Sequence, residues 1–169
     1  PVDGSVEITE EHYQELLVGQ STGLLIAESQ KGYPILAIYE PSIEEIRAHK
    51  LNELSLYDSS DMVNQFCIDN THGWWNKATR VGLMNSIAIE RESGRSETSI
   101  WLGDTQFVLP IEKAIDILCQ LELYALTCYN VTQGHINAIY QLETKEEIKA
   151  YNFKTGYPRK LNFSGYPIV

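Results

Sequence analysis

Three residues whose side chains could together form a catalytic nucleophile lie close to one another in the sequence: Cys67, Asp69 and His72. A thiol activated by a histidine, which a carboxylate in turn orients, is a recurrent arrangement for covalent catalysis. Catalytic groups of this kind meet through folding rather than through neighbourhood in sequence. We therefore expect Cys67 to be a buried thiol and His72 to lie in a surface loop.

Candidate metal ligands are scattered along the chain. Cys128 and His135 are separated by a predicted helix break and have no second pair of ligands nearby, and His12 and His49 belong to different predicted helices. A structural zinc site needs four ligands with paired spacing. The P-loop and dinucleotide-binding glycine patterns are also absent from the sequence. We therefore predict no metal, no cofactor and no enzymatic activity.

Glu122 is the one carboxylate in an unexpected position. A helix predicted from Ile111 to Tyr129 has an apolar face, and Glu122 falls near its middle. The predicted face consists of Ile111, Ala114, Ile115, Leu118, Leu121, Ala125 and Leu126. A carboxylate on such a face either has a partner or a raised pKa. A general acid is one interpretation, but no second carboxylate lies at a suitable spacing, so we predict an ion pair with Lys77 or Arg80 or a contact with a tryptophan indole.

Three aromatic residues are candidate interface anchors: Trp74, Trp75 and Tyr157. Exposed tryptophan is common at the centre of protein interfaces. Packing in the core is the more usual role of a tryptophan. For the Trp74-Trp75 pair, we expect one ring to complete the core and the other to be half exposed.

The elements that must position these residues indicate an α+β protein with a small β-α-β-β piece at residues 1–40. A strand is predicted at Val6–Ile8, then a helix with Thr9 as N-cap that stops at Gly19, then two further strands. A piece of this size buries little by itself. A helix within residues 41–60, opened by the Ser42–Glu45 capping box and polar on more than one face, is predicted to be a connector.

Residues 61–160 are predicted to form a mainly helical domain with a β-hairpin, followed by an extended tail at 161–169. The predicted elements are a strand at 63–68, a helix at 76–90, the hairpin at 98–109, the helix at 111–129, another helix from Thr132 and a short helix opened by the Thr144–Glu147 capping box.

The net charge of −10 is concentrated in the first part of the chain. Residues 1–60 hold eleven acids and three bases, a net −8, whereas residues 61–169 hold twelve acids and ten bases, a net −2. Phosphate backbones and anionic lipids repel such a surface, so nucleic acid and membrane are excluded as expected partners. Two interpretations stay open: the acids serve solubility alone, or they face a basic partner.

The odd number of cysteines, three, favours free thiols in a reducing compartment. The sequence contains no run of 18 apolar residues of the kind that would indicate a membrane span. We therefore expect an intracellular protein.

Two parts of the chain resemble phage proteins. Residues 74–158 resemble a domain of unknown function at the C-terminal end of phage and prophage tail proteins. The likeness rests on Lys77-Ala78-Thr79-Arg80, Trp101-Leu102, Leu121-Glu122-Leu123-Tyr124-Ala125, Cys128-Tyr129, His135, Ala150-Tyr151 and Gly156-Tyr157-Pro158. The beginning of the chain is similar to the opening segment of tail-fibre assembly proteins. The matching residues are Val6-Glu7-Ile8-Thr9-Glu10-Glu11, Tyr13, Leu16-Leu17, Gly19-Gln20-Ser21, Gly23 and Gly32-Tyr33-Pro34.

This resemblance implies a non-enzymatic protein that binds a tail-fibre protein or assists its assembly in the cytoplasm of a bacterial host. A structural or adhesive component of the virion tail that contacts the host surface is the alternative, and a hydrolase is a distant third. The resemblance implies no catalytic residue, and a homo-oligomer stays open.

Overall fold

The computed structural model describes residues 5–165 and has an α+β fold, as predicted. The chain divides into two compact units, residues 1–42 (unit 1) and residues 43–169 (unit 2). Unit 1 therefore ends close to the predicted boundary at residue 40.

Unit 1 consists of helix α1 (Glu10–Ser21) and an antiparallel hairpin of β1 (Leu25–Glu28) and β2 (Pro34–Ala37). Thr9 caps α1 as predicted, because its hydroxyl accepts a hydrogen bond from the His12 amide at 3.2 Å. The strand predicted at Val6–Ile8 is wrong: these residues are not in a strand, because three alternating residues need a neighbouring strand to pair with.

Helix α1 runs past Gly19, where the sequence predicts its end. Gly19 is buried, and a Cβ at this position would overlap with the side chain of Leu36 on β2. The glycine therefore allows helix and strand to approach closely, and the sequence signal for a helix end is in fact a packing feature.

Unit 2 contains four helices and five strands among its described residues. They are α2 (Ile43–Asp58), β3 (Phe66–Ile68), β4 (Thr71–Gly73), α3 (Lys77–Glu92), β5 (Glu97–Leu102), β6 (Thr105–Pro110), α4 (Ile111–Gln141), α5 (Lys145–Ala150) and β7 (Asn162–Phe163). The β5–β6 hairpin and the capping box at Thr144 and Glu147 are as predicted.

The helix predicted to be a connector, α2, is an integral part of unit 2. Its residue Leu54 is 1% exposed and packs in a core cluster with Ile139 of α4 and Phe153. Arg47 also donates a hydrogen bond to the carbonyl of Leu142, just after the end of α4, at 2.9 Å. The prediction was wrong because α2 has few apolar residues and therefore looks solvent-exposed in the sequence, whereas Leu54 is buried.

Helix α4 is one continuous helix of 31 residues, whereas two helices are predicted there. Asn130 and Val131 have low helix propensity, but neither breaks a helix that is packed on both sides. The buried line includes Ile117, Tyr124 and Cys128, whereas Leu126, predicted to face inward, is exposed. Ile111, Ala114, Leu118 and Leu121 are buried as predicted, so the buried face is largely the predicted one, extended to Tyr124 and Cys128 and without Leu126.

Two small strands are absent from the sequence prediction. Strand β4 pairs with β3 through a two-residue turn at Asp69 and Asn70, both of which have positive φ. This is the backbone conformation of a type I′ turn, which Asp and Asn adopt readily. Strand β7 pairs in parallel with β3, so residues 162–163 of the predicted extended tail form a strand; residues 166–169 lie outside the described part.

The main core of unit 2 lies between the two hairpins, α3 and the first half of α4. Its largest fully buried side chains include Phe66, Phe107, Ile100, Leu109 and Leu121. A smaller cluster of Val63, Tyr124 and Cys128 lies further along α4.

Candidate functional site

The predicted partner of Glu122 is present: Arg80 Nε donates to Glu122 Oε1 at 2.8 Å. Arg80 is 5% exposed, and its Nη1 also donates to the carbonyl oxygen of Trp75 at 2.6 Å. The other candidate, Lys77, is exposed at the start of α3. Arg80 thus ties α3 to α4 and to the segment before α3, and Glu122 retains access to water. This geometry is that of a structural ion pair.

The three aromatic candidates for an interface are largely used inside unit 2. Trp75 is buried, and its indole N–H donates to the carbonyl of Trp101 at 2.9 Å. Trp75 is therefore a core residue, and its prediction as an interface anchor does not fit this buried position. Trp74 is half buried, with the Arg80 guanidinium 5.1 Å from its ring centre. Tyr157 is also half buried.

A polar network surrounds Tyr157. Its hydroxyl lies 2.8 Å from the hydroxyl of Thr132, which donates to Asp58 Oδ1 at 2.5 Å. Burial raises the pKa of Tyr157 above its ordinary value. Burial likewise raises the pKa of Tyr124, whose hydroxyl donates to the carbonyl of Val63 at 2.7 Å. Both phenols are therefore neutral at physiological pH and act as hydrogen-bonding groups, not as bases.

The residues of the candidate nucleophile are neighbours in the fold, but the thiol is covered. Cys67 lies opposite His72 across the β3–β4 pairing. Cys67 is buried as predicted, and His72 is exposed on a strand, not in the predicted loop. Asp69 Oδ1 accepts a hydrogen bond from the amide of Gly165 at 2.7 Å. Cys67 is therefore covered and not open to a substrate.

One motif was not among the predicted sites: Gly19-Gln20-Ser21-Thr22-Gly23 has the spacing of a Gly-x-Ser-x-Gly nucleophile elbow. That elbow requires a turn from a strand into a helix, whereas this segment leads from α1 towards β1. The Ser21 hydroxyl donates to the carbonyl of Val18 at 2.7 Å, within the last turn of α1. The match is therefore a helix end and not a catalytic motif.

The candidate metal ligands are likewise engaged elsewhere. The ring nitrogens of His135 lie 2.8 Å from the Tyr151 hydroxyl and 2.9 Å from the carbonyl oxygen of Thr155. Cys128 is buried, and burial raises the pKa of its thiol. Within residues 5–165, no cluster of three or more His, Cys, Asp or Glu side chains could hold a metal ion. In the same residues, no helix is long and apolar enough to cross a membrane.

A groove of about 600 Å³ runs beside α2 in unit 2 and combines aromatic rings with lysines. Lys50 Nζ lies 2.8 Å from Glu53 and 5.6 Å from the ring centre of Phe153, and Lys154 Nζ lies 5.9 Å from the ring centre of Tyr57. The hydrogen bond from Lys50 lowers the pKa of Glu53. Since these ammonium groups already have partners within the protein, the groove does not identify a ligand.

The most unusual surface belongs to unit 1, which leaves most of its large apolar side chains in contact with water. Residues 5–42 contain ten of the nineteen exposed large hydrophobic side chains of the described chain, although they are fewer than a quarter of it. The ten are Val6, Tyr13, Leu17, Val18, Leu25, Ile26, Tyr33, Ile35, Ile38 and Tyr39. Only Leu16 and Gly19 are buried in these residues.

The two faces of the β1–β2 hairpin differ in their contact with α1: Leu36 packs against the helix, although Ile26, paired with Leu36 on the same face, is still 41% exposed. Leu36 points towards Gly19 of α1, so its neighbours Ile35 and Ala37 point to the opposite side of the hairpin. The pairs Ala27–Ile35 and Leu25–Ala37 then share that side. We call these four residues the open face; Leu25 is 47% and Ile35 43% exposed.

The open face was not predicted, although the sequence contains a signal for it. Ile35, Leu36 and Ala37 are three consecutive apolar residues in a strand. Such a strand has apolar side chains on both faces and needs cover on both, whereas α1 packs against the Leu36 side alone.

Comparison with protein-family models, with curated proteins and with solved structures gives no match to this chain.

Proposed function

We propose that this protein is a non-enzymatic binding protein that acts through unit 1 and that its partner is a phage tail-fibre protein, whose assembly it assists. The single observation that supports this proposal is the surface of unit 1, which exposes ten large apolar side chains and buries almost none. Single exposed apolar side chains are ordinary, whereas a group of this density is typical of an interaction site.

Binding another protein also fits the energetics of unit 1. A piece of about forty residues with one buried leucine gains little free energy from its own core. A partner that binds only its folded form stabilises it by mass action. The tail-fibre protein is the proposed partner because the beginning of the chain resembles tail-fibre assembly proteins.

The experiment is co-expression of the full chain, tagged at its C-terminus, with a fibre protein encoded beside it. We expect the two proteins to co-purify and the fibre protein to be recovered in much lower yield when it is expressed alone. The matched control is expression of the fibre protein with a variant in which Leu25 and Ile35 are both changed to aspartate.

Two results would contradict the proposal. One is a gene neighbourhood without a fibre gene, combined with no binding to fibre proteins. The other is that the purified chain binds bacterial cells or glycans in the absence of any fibre protein, which would support an adhesive component of the virion instead.

A further inference from the structure

We propose that the open face of the β1–β2 hairpin is the docking surface for the partner and that it receives a basic segment of the fibre protein with apolar side chains at its centre. This inference rests on the proposed function and specifies where and by what chemistry the fibre protein binds.

The geometry provides the apolar centre of the site. Leu25 and Ile35 stand diagonally on the open face, and Ala27 and Ala37 fill the other two corners. Alanine is smaller than leucine or isoleucine, so we expect apolar side chains of the partner to pack over the two alanines. Since α1 packs on the opposite face at Leu36, a partner on the open face would give the hairpin a packed neighbour on each side.

The charge distribution identifies the partner as basic. Residues 1–42 contain seven acids, namely Asp3, Glu7, Glu10, Glu11, Glu15, Glu28 and Glu40, and the one base Lys31, a net charge of −6. Glu28 ends β1 next to the hairpin turn, on the Leu36 side, and Glu40 follows β2 at the other end of the hairpin. An apolar patch on a unit of this negative charge is complementary to an apolar patch flanked by lysine or arginine.

The decisive measurement is the affinity of the purified full chain for the purified fibre protein, by titration calorimetry or biolayer interferometry. The test variant carries Leu25→Thr and Ile35→Thr, which remove apolar surface and keep a residue suited to a strand. We expect it to bind roughly thirtyfold more weakly, as for two side chains at the centre of an interface. The matched control is Ile89→Thr on α3, an apolar position of unit 2 that is 67% exposed, and it should bind as the unchanged chain does.

The charge is tested on the unchanged chain by raising the salt concentration from about 0.05 to about 0.5 M, which shortens the Debye length to a few ångströms. We expect the dissociation constant to rise at least tenfold. An affinity that is independent of salt would overturn the assignment of a basic partner.

Two checks separate a lost contact from a lost fold. His12 Nε2 lies 2.9 Å from the carbonyl oxygen of Pro34, so the pKa of His12, read by NMR, reports whether α1 still packs on β2. Hydroxyl-radical footprinting of the unchanged complex gives an independent answer, since Leu25 and Ile35 should become protected.

The outcomes distinguish the inference from the proposed function. If the unchanged chain binds no fibre protein, the proposed function fails. If the chain binds but the threonine variant binds equally well, or footprinting shows no protection of Leu25 and Ile35, only the open face is overturned as the site.

Discussion

Replacing Glu122 by glutamine keeps an oxygen that can accept from Arg80 Nε but removes the carboxylate charge. Hydrogen bonds to charged groups contribute about 1.5–3 kcal/mol and neutral ones about 0.5–1.5 kcal/mol. The Glu122 side chain is 43% exposed, so solvent screens part of the interaction. We therefore expect Glu122→Gln to lower the free energy of unfolding by about 1 kcal/mol.

Arg80→Met should cost more, because it removes the donor to the Trp75 carbonyl as well as the ion pair. The loss of a partner for a buried acceptor costs about 1–3 kcal/mol, and relief from burying a guanidinium offsets part of this cost. We expect about 2 kcal/mol for Arg80→Met. The double variant should lose about 1 kcal/mol less stability than the sum of the two single-variant losses, because both single variants remove the same contact.

The assay is urea unfolding followed by tryptophan fluorescence. All three tryptophans lie in unit 2, so the signal reports on the unit that contains the ion pair. The matched control is Arg95→Met, because Arg95 forms an exposed ion pair with Glu90 at 2.9 Å, and it should change stability by less than about 0.5 kcal/mol. Glu122→Gln with unchanged stability, together with additive effects in the double variant, would refute a stabilising pair.

Three further predictions follow from the packing. Leu54→Ala should cost about 3 kcal/mol in the same urea assay, because Leu54 is 1% exposed in a core cluster, whereas a free connector helix would lose less than about 0.5 kcal/mol. The pKa of His12 is raised above 6.5 by its hydrogen bond to the Pro34 carbonyl and by Glu15. Protonated His12 therefore stabilises unit 1, and this contribution is fully present below pH 6.5. It is lost as the pH rises through the raised pKa. An NMR titration that gives His12 an ordinary pKa would refute this contact. Finally, Ellman's reagent should label Cys119, which is exposed, within minutes, and the two buried cysteines only after unfolding; equal rates for all three would contradict the packing.

The parts of the fold that sequence predicts well are those governed by local rules. The capping residues Thr9 and Thr144 and the β5–β6 hairpin depend on chemistry between residues that are near in sequence. The contact of Glu122 with Arg80 could also be foreseen, because a carboxylate on an apolar face restricts its partners to the few available bases.

The parts that sequence misses depend on residues far apart in the chain. Gly19 is a helix end by local rules, but its missing Cβ accommodates Leu36. The pairing of β7 with β3 joins residues almost a hundred positions apart, and nothing in either short segment indicates it. The open face likewise depends on a contact between distant residues, because it is the side of the hairpin opposite to the one on which Leu36 meets Gly19.

The continuous helix α4 has a consequence for how the length of this chain can change in evolution. Its N-terminal half packs in the main core through Leu121, and its C-terminal half packs with α2 through Ile139. Residues in a helix are about 100° apart around its axis, so one inserted residue near Asn130 would rotate the second half by that angle and turn Ile139 away from Leu54. Single insertions and deletions in the middle of α4 should therefore be excluded, whereas substitutions there should be tolerated at exposed positions such as Leu126 and Asn130. The continuous helix fixes the rotation of one core relative to the other.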